Sequence, residues 1–150
     1  MLGKTLPNLL ISLVNMGTIV LVGVVGFKVP FQGNFWLFLG LVMIYVFSGL
    51  GLGLLISSVS QNPRQAQQLN MMISLIGLIL SGFIFPRYAM PQVLQWIGYI
   101  FPLTFFIPIA RGIFSKGIGI EFLWGQVIAL SIFVVGILFM AARLFKQRLD

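Results

Sequence analysis

Phe35 to Val59 reads FWLFLGLVMIYVFSGLGLGLLISSV, 25 consecutive residues without one Asp, Glu, Lys or Arg. An α-helix rises about 1.5 Å per residue, so a helix of this length exceeds the roughly 30 Å hydrocarbon core of a bilayer. A helix that is apolar on every face must be surrounded by protein core or by lipid. The chain has 150 residues, of which 59% are hydrophobic and 7% charged, too little polar surface to coat a water-soluble globule around such a helix. Lipid is therefore the predicted solvent.

Working outward, charge-free windows also run from Thr5 to Phe27 and from Ala66 to Pro86, and a fourth, Phe122 to Ala142, lies between Glu121 and Arg143. The opening window itself extends back to Val29 if the apolar residues before Asn34 are counted. The predicted fold is all-α and polytopic, with four transmembrane helices at about residues 6–27, 35–58, 67–86 and 122–142. Lys4 ahead of an apolar run has the look of a signal peptide, but the run is longer than the roughly 7 to 15 residues of such a segment, so a retained helix is expected.

Net charge is +7, yet the nine basic residues are scattered singly at the ends of apolar runs, which matches lipid headgroups rather than nucleic acid. Only Arg143, Lys146 and Arg148 cluster, just past the last span, and basic residues there favour the cytoplasmic side. With an even number of spans both termini are expected in the cytoplasm, with Lys4 and Arg64. Lys28, Arg87, Arg111 and Lys116 then fall outside, a margin of five cations against four.

Asn34 is a plausible N-cap for the second helix. Gly49 and Gly53 form a small-xxx-small pair within it, a pattern that permits close helix packing, although glycine is also common in transmembrane helices generally. The most polar stretch is the loop around Ser58, Ser60, Gln61, Asn62, Arg64 and Gln65, after which Pro63, Gln67, Gln68 and Asn70 predict a polar first turn for the third helix. Such a loop is either a docking surface or simply solvated. From Tyr88 to Lys116 the chain stays apolar but carries Pro91, Pro102 and Pro108, so a straight crossing is not expected. Two short re-entrant or interfacial helices, about 91–99 and 103–114, are predicted instead, with Pro91, Trp96, Pro102 and Arg111 as their marker residues.

With Glu121 and Asp150 as its only carboxylates, and neither His nor Cys, the chain cannot assemble an acid–base pair, a nucleophilic triad or a metal cluster. It lacks a phosphate loop ending in Lys-Ser or Lys-Thr, so no cofactor is expected on it and any ATP-driven function would take its nucleotide site from another chain. The predicted spans hold no ionisable residue of the kind a proton- or sodium-coupled carrier uses.

The run Leu80-Ser81-Gly82-Phe83-Ile84-Phe85-Pro86, then Met90-Pro91, Leu94-Gln95-Trp96, Phe101-Pro102-Leu103-Thr104, Ala110-Arg111-Gly112-Ile113 and Lys116-Gly117, resembles the C-terminal half of an ABC-2 type transporter permease. Val29-Pro30-Phe31, the glycine-rich run from Gly49 to Ser57 and the loop from Ser60 to Gln68 are similar to the same family. The resemblance covers essentially the whole chain but the last four of six spans, so Met1 is either an internal boundary or the upstream part comes from another chain.

The resemblance implies a permease of an exporter in a prokaryotic plasma membrane, paired with a second permease subunit and driven by separate ATPase subunits. It further implies that the Ser58 to Gln65 loop contacts the ATPase. Gly49 and Gly53 would lie near the dimer seam, and residues 91–114 would form paired half-helices near the outer leaflet. Arg111 would seek a headgroup, a carbonyl or a substrate anion. The competing expectations are a truncated accessory membrane protein that transports nothing and, less compatible with the side chains present, a membrane-embedded enzyme.

Overall fold

The computed structural model describes residues 2–26, 28 and 32–147, and every regular element among them is helical. Six α-helices follow one another: α1 (Leu2–Leu21), α2 (Phe35–Val59), α3 (Pro63–Leu80), α4 (Gln92–Gly98), α5 (Leu103–Lys116) and α6 (Ile120–Gln147). The end expected for the first span at Phe27, the turn at Pro30 and the charge of Arg148 lie outside the described residues.

The first helix continues from α1 as a wider π-turn over Val22–Gly26. Asn34 caps α2, its side-chain oxygen accepting from the Trp36 amide at 3.0 Å. At the far end Ser60 closes α2 and Asn62 opens α3, accepting from the Gln65 amide at 2.8 Å. The Gln65 side chain reaches back to accept from the Gln61 amide at 2.9 Å. This reciprocal exchange satisfies orphan donors at a helix start, and Pro63 at the first helical position has no donor to lose. The connection between α2 and α3 is therefore a tight, capped corner.

The most extensive contact in the fold joins α2 to α6. A β-carbon on Gly117 would lie 2.8 Å from the Gln32 carbonyl oxygen, which places the α5–α6 link beside the start of α2, and Gly51 faces Ile137 further along both helices. These two helices accordingly run parallel. α5 returns antiparallel between them, and Phe38, Leu41, Val42, Ile109, Ile113, Leu123 and Leu130 form the core where the three meet. Phe38 meets Phe114 edge-on at 4.9 Å, and Tyr45 stacks on Phe106 at 4.4 Å. Met16 and Val20 of α1 pack against the same cluster.

By length and composition the helices at Leu6–Gly26, Phe35–Val59 and Ile120–Leu144 can each cross a bilayer, and a fourth crossing is reached if the bent pair α4–α5 counts as one. The third helix stops short of the end expected for it over 67–86. α3 ends at Leu80, because Gly82 turns the chain with φ +87, a backbone geometry that side-chain-bearing residues rarely adopt, and the Arg87 side chain closes over it. The polar start of α3 also leaves it few apolar turns. The chain passes from the Asn62 end of the bundle to the Lys116 end through α3 and the 81–91 segment, and α4 and α5, bent by 86°, turn back along α3 and return to the Lys116 end.

Candidate functional site

The α4–α5 turn is held deep in the bundle. Its floor is α3: a β-carbon on Gly77 would meet Phe101 at 2.9 Å, and one on Gly98 would meet the Leu80 carbonyl oxygen at 2.8 Å. The buried Thr104 hydroxyl donates to the Gly98 carbonyl, tying the start of α5 to the end of α4 across buried Pro102. Gln95 donates to the Met90 carbonyl at 2.9 Å, and Arg87 donates to the Gln95 carbonyl at 3.0 Å while its guanidinium lies 4.2 Å over the Tyr99 ring. Backbone groups that a broken helix would leave bare are thus satisfied within the chain, the condition for non-helical backbone at membrane depth.

Between that turn, α2 and α3 opens a cleft of about 520 Å³, lined among others by Tyr45, Gly49, Asn70, Ser74, Gly77 and Phe101. Asn70 and Ser74 stand one turn apart on α3. Neither has a hydrogen-bond partner among the described residues, and both are exposed. An unpaired amide lining a largely apolar cleft calls for water, a polar ligand or another helix. α1 carries a similar feature, since Asn8, Ser12 and Asn15 share one face and the exposed Asn15 amide is also without a partner among the described residues. Asn70 reads in the sequence only as part of the polar start of α3, and neither stripe stands out there as such, although the i, i+4, i+7 spacing of amides and hydroxyls is a readable signal.

The residues expected at the polar loop divide into three groups. Ser58 and Ser60 are buried, their hydroxyls donating to the carbonyls of Leu55 at 2.7 Å and Ile56 at 2.6 Å. Hydroxyls near a helix end routinely turn back onto the preceding turn, which takes these two off the surface. Asn62 and Gln65 are engaged in capping, so Gln61 and Arg64 are the exposed groups left to meet a partner.

The paired glycines also divide from their surroundings. Gly51 is the position pressed against α6, where a β-carbon would overlap Ile137 Cγ2, whereas Gly49 and Gly53 have nothing within 4 Å of theirs. Residues two apart on a helix point in nearly opposite directions, so close packing at Gly51 turns Gly49 and Gly53 away from α6. Of the half-helix markers, Pro91 precedes α4, Trp96 is exposed on it, Pro102 precedes α5, and Arg111 donates weakly to the Phe83 carbonyl at 3.4 Å.

The sequence pattern of ABC-2 type transporters matches residues 1–115, more than half of the chain. The chain belongs to the ABC-2 type transporter family. Among curated ABC-2 relatives, YbhR of Escherichia coli, described as a probable multidrug ABC transporter permease, is 30% identical over 83% of this chain and 34% of its own length. The inner membrane transport permease YhhJ of the same organism is 31% identical over 84% of this chain and 33% of its own. ABC transporter G family member 20 of Dictyostelium discoideum is 29% identical over 97% of this chain and 20% of its own. This ABC-2 chain therefore spans about a third of the bacterial relatives and a fifth of the amoebal one. No solved structure matches it.

Proposed function

We propose that the chain forms part of the permease of an ATP-driven exporter, embedded in a prokaryotic plasma membrane with both termini in the cytoplasm. The observation that carries this reading is the cleft between α2, α3 and the α4–α5 turn, where the amide of Asn70 and the hydroxyl of Ser74 stand unpaired among apolar walls. Such a surface suits an amphipathic compound, whose apolar body meets Phe101 and whose polar groups replace water on the amide. The name of YbhR points to the same class of cargo.

Energy would enter at the other end. Gln61 and Arg64 crown the capped α2–α3 corner, and a separate ATPase subunit docking there would push on α3, the helix that lines the cleft. A second permease subunit would close the path from the opposite side, seated against α1 and the open glycines Gly49 and Gly53 of α2.

In vesicles carrying the complete transporter and its ATPase, Arg64→Glu is expected to lower ATP-dependent efflux of an amphipathic fluorescent dye about tenfold, the effect of losing one well-placed charged contact. Insertion and the amount of protein should be unchanged. Full efflux by a correctly inserted Arg64→Glu variant would overturn the coupling role.

A further inference from the structure

A second cavity, of about 630 Å³, opens at the Lys116 end of the bundle between α5, α6 and the 81–91 segment. Three cations line it, Arg87, Arg111 and Lys116, with the hydroxyl of Ser115 and the amide of Gln126, and no carboxylate is among its lining residues. Phe122 and its apolar neighbours form the opposite wall. Among the described residues the Arg87 Nε is buried without a hydrogen-bond partner, and Arg111 has one long contact, to the Phe83 carbonyl. Positive charge has been gathered here with no carboxylate among the lining residues, the Arg87 guanidinium being met among the described residues only by the Gln95 carbonyl and the Tyr99 ring.

The level of the cavity is marked by aromatic side chains. Trp36 and Trp124 are exposed in the first turns of α2 and α6, and Tyr88 and Trp96 are exposed in the segment that lines or flanks the cavity. Such residues settle where acyl chains meet headgroups. The positive-inside tendency makes the cations more unusual: four, Lys28, Arg87, Arg111 and Lys116, lie at the end opposite the cluster that holds Arg143, and three of the four line this one cavity. Cations that work against topology need another reason to be there.

We propose that this cavity binds the phosphate of an anionic phospholipid headgroup. Guanidinium groups present paired donors that match phosphate oxygens, Lys116 adds a mobile ammonium, and the apolar wall at Phe122 receives the start of the acyl chains. The site depends on the end of the bundle and not on the cargo or the ATPase, so it stands apart from the export reading. A bound headgroup would pin the 81–91 segment to α5 and α6 and steady the α4–α5 turn from above.

The test is lipid retention by the protein purified in detergent micelles doped with phosphatidylglycerol or phosphatidylcholine and read by native mass spectrometry. The unaltered protein should keep phosphatidylglycerol in preference to phosphatidylcholine. Arg111→Gln with Lys116→Gln should weaken that retention by about tenfold or more, as expected for two charge-assisted contacts. Arg111→Lys with Lys116→Arg keeps the charge and should retain it, and Lys28→Gln, which removes a cation from the same end but outside the cavity, should leave it unchanged. If the double glutamine variant does not fold, Lys116→Gln alone, at an exposed position, should still show a severalfold loss. Equal retention of the two lipids, or undiminished phosphatidylglycerol on the glutamine variants, would overturn the proposal. Displacement of the lipid by inorganic phosphate would overturn the lipid as the source and point to a soluble phosphate ester.

Discussion

At Gly51 the backbone of α2 comes so close to Ile137 that an added side chain must displace the Ile137 side chain or the helix that carries it. Gly51→Ala is expected to cost about 1–3 kcal/mol through overpacking. Gly53→Ala, made in open space, should be neutral or slightly stabilising, because alanine is the better helix former by about 1 kcal/mol. Thermal unfolding in detergent separates the two, and a lower midpoint for Gly53→Ala than for Gly51→Ala would contradict the packing. The same scale explains why Ser58 and Ser60 make poor docking residues: each hydroxyl is consumed by a carbonyl of its own helix, so the exposed chemistry of the corner contracts to Gln61 and Arg64.

Among the elements, α2 and α6 were readable from the sequence, because each combines a charge-free run long enough to cross a bilayer with high hydropathy throughout, which the polar start of α3 denies the 66–86 window. The polar start of α3 was readable from Pro63 and the glutamines after it, though not the exchange of caps between Asn62 and Gln65, and the broken pair was readable from Pro91 and Pro102. The end of α3 was not, since Leu80 to Phe85 is as apolar outside a helix as in one, and the stop is set by the φ of Gly82 and the packing of Arg87 across it. Which glycine meets a neighbour was equally hidden, because Gly49, Gly51 and Gly53 differ in the face they occupy and not in chemistry. The cleft was hidden for another reason: Asn70 reads with Gln67 and Gln68 as part of a polar helix start, and nothing in the sequence pairs it with Ser74 as one wall of a cavity. The polar face of α1 leads to a prediction of its own. An amide facing lipid gains by pairing across helices, so Asn15→Leu is expected to weaken association with a second permease subunit by about 1 kcal/mol. Sedimentation of the complex in detergent measures this, and an unchanged dimer fraction would remove α1 from the seam.

At the scale of the whole molecule, the chain has two chemically different ends. One presents the short α2–α3 corner with Arg64 exposed; the other gathers the tryptophans, the α4–α5 pair and a cavity lined by Arg87, Arg111 and Lys116. The cleft lies between them, bordered by α3, which starts at the corner, and by the α4–α5 turn. Because the chain contains no cysteine, a single introduced thiol reports its own position. The most direct measurement is labelling of Tyr88→Cys and Gln61→Cys by a membrane-impermeant maleimide in intact cells. Tyr88→Cys should react from outside without treatment and Gln61→Cys only after the membrane is opened; labelling of both from the same side would contradict the account.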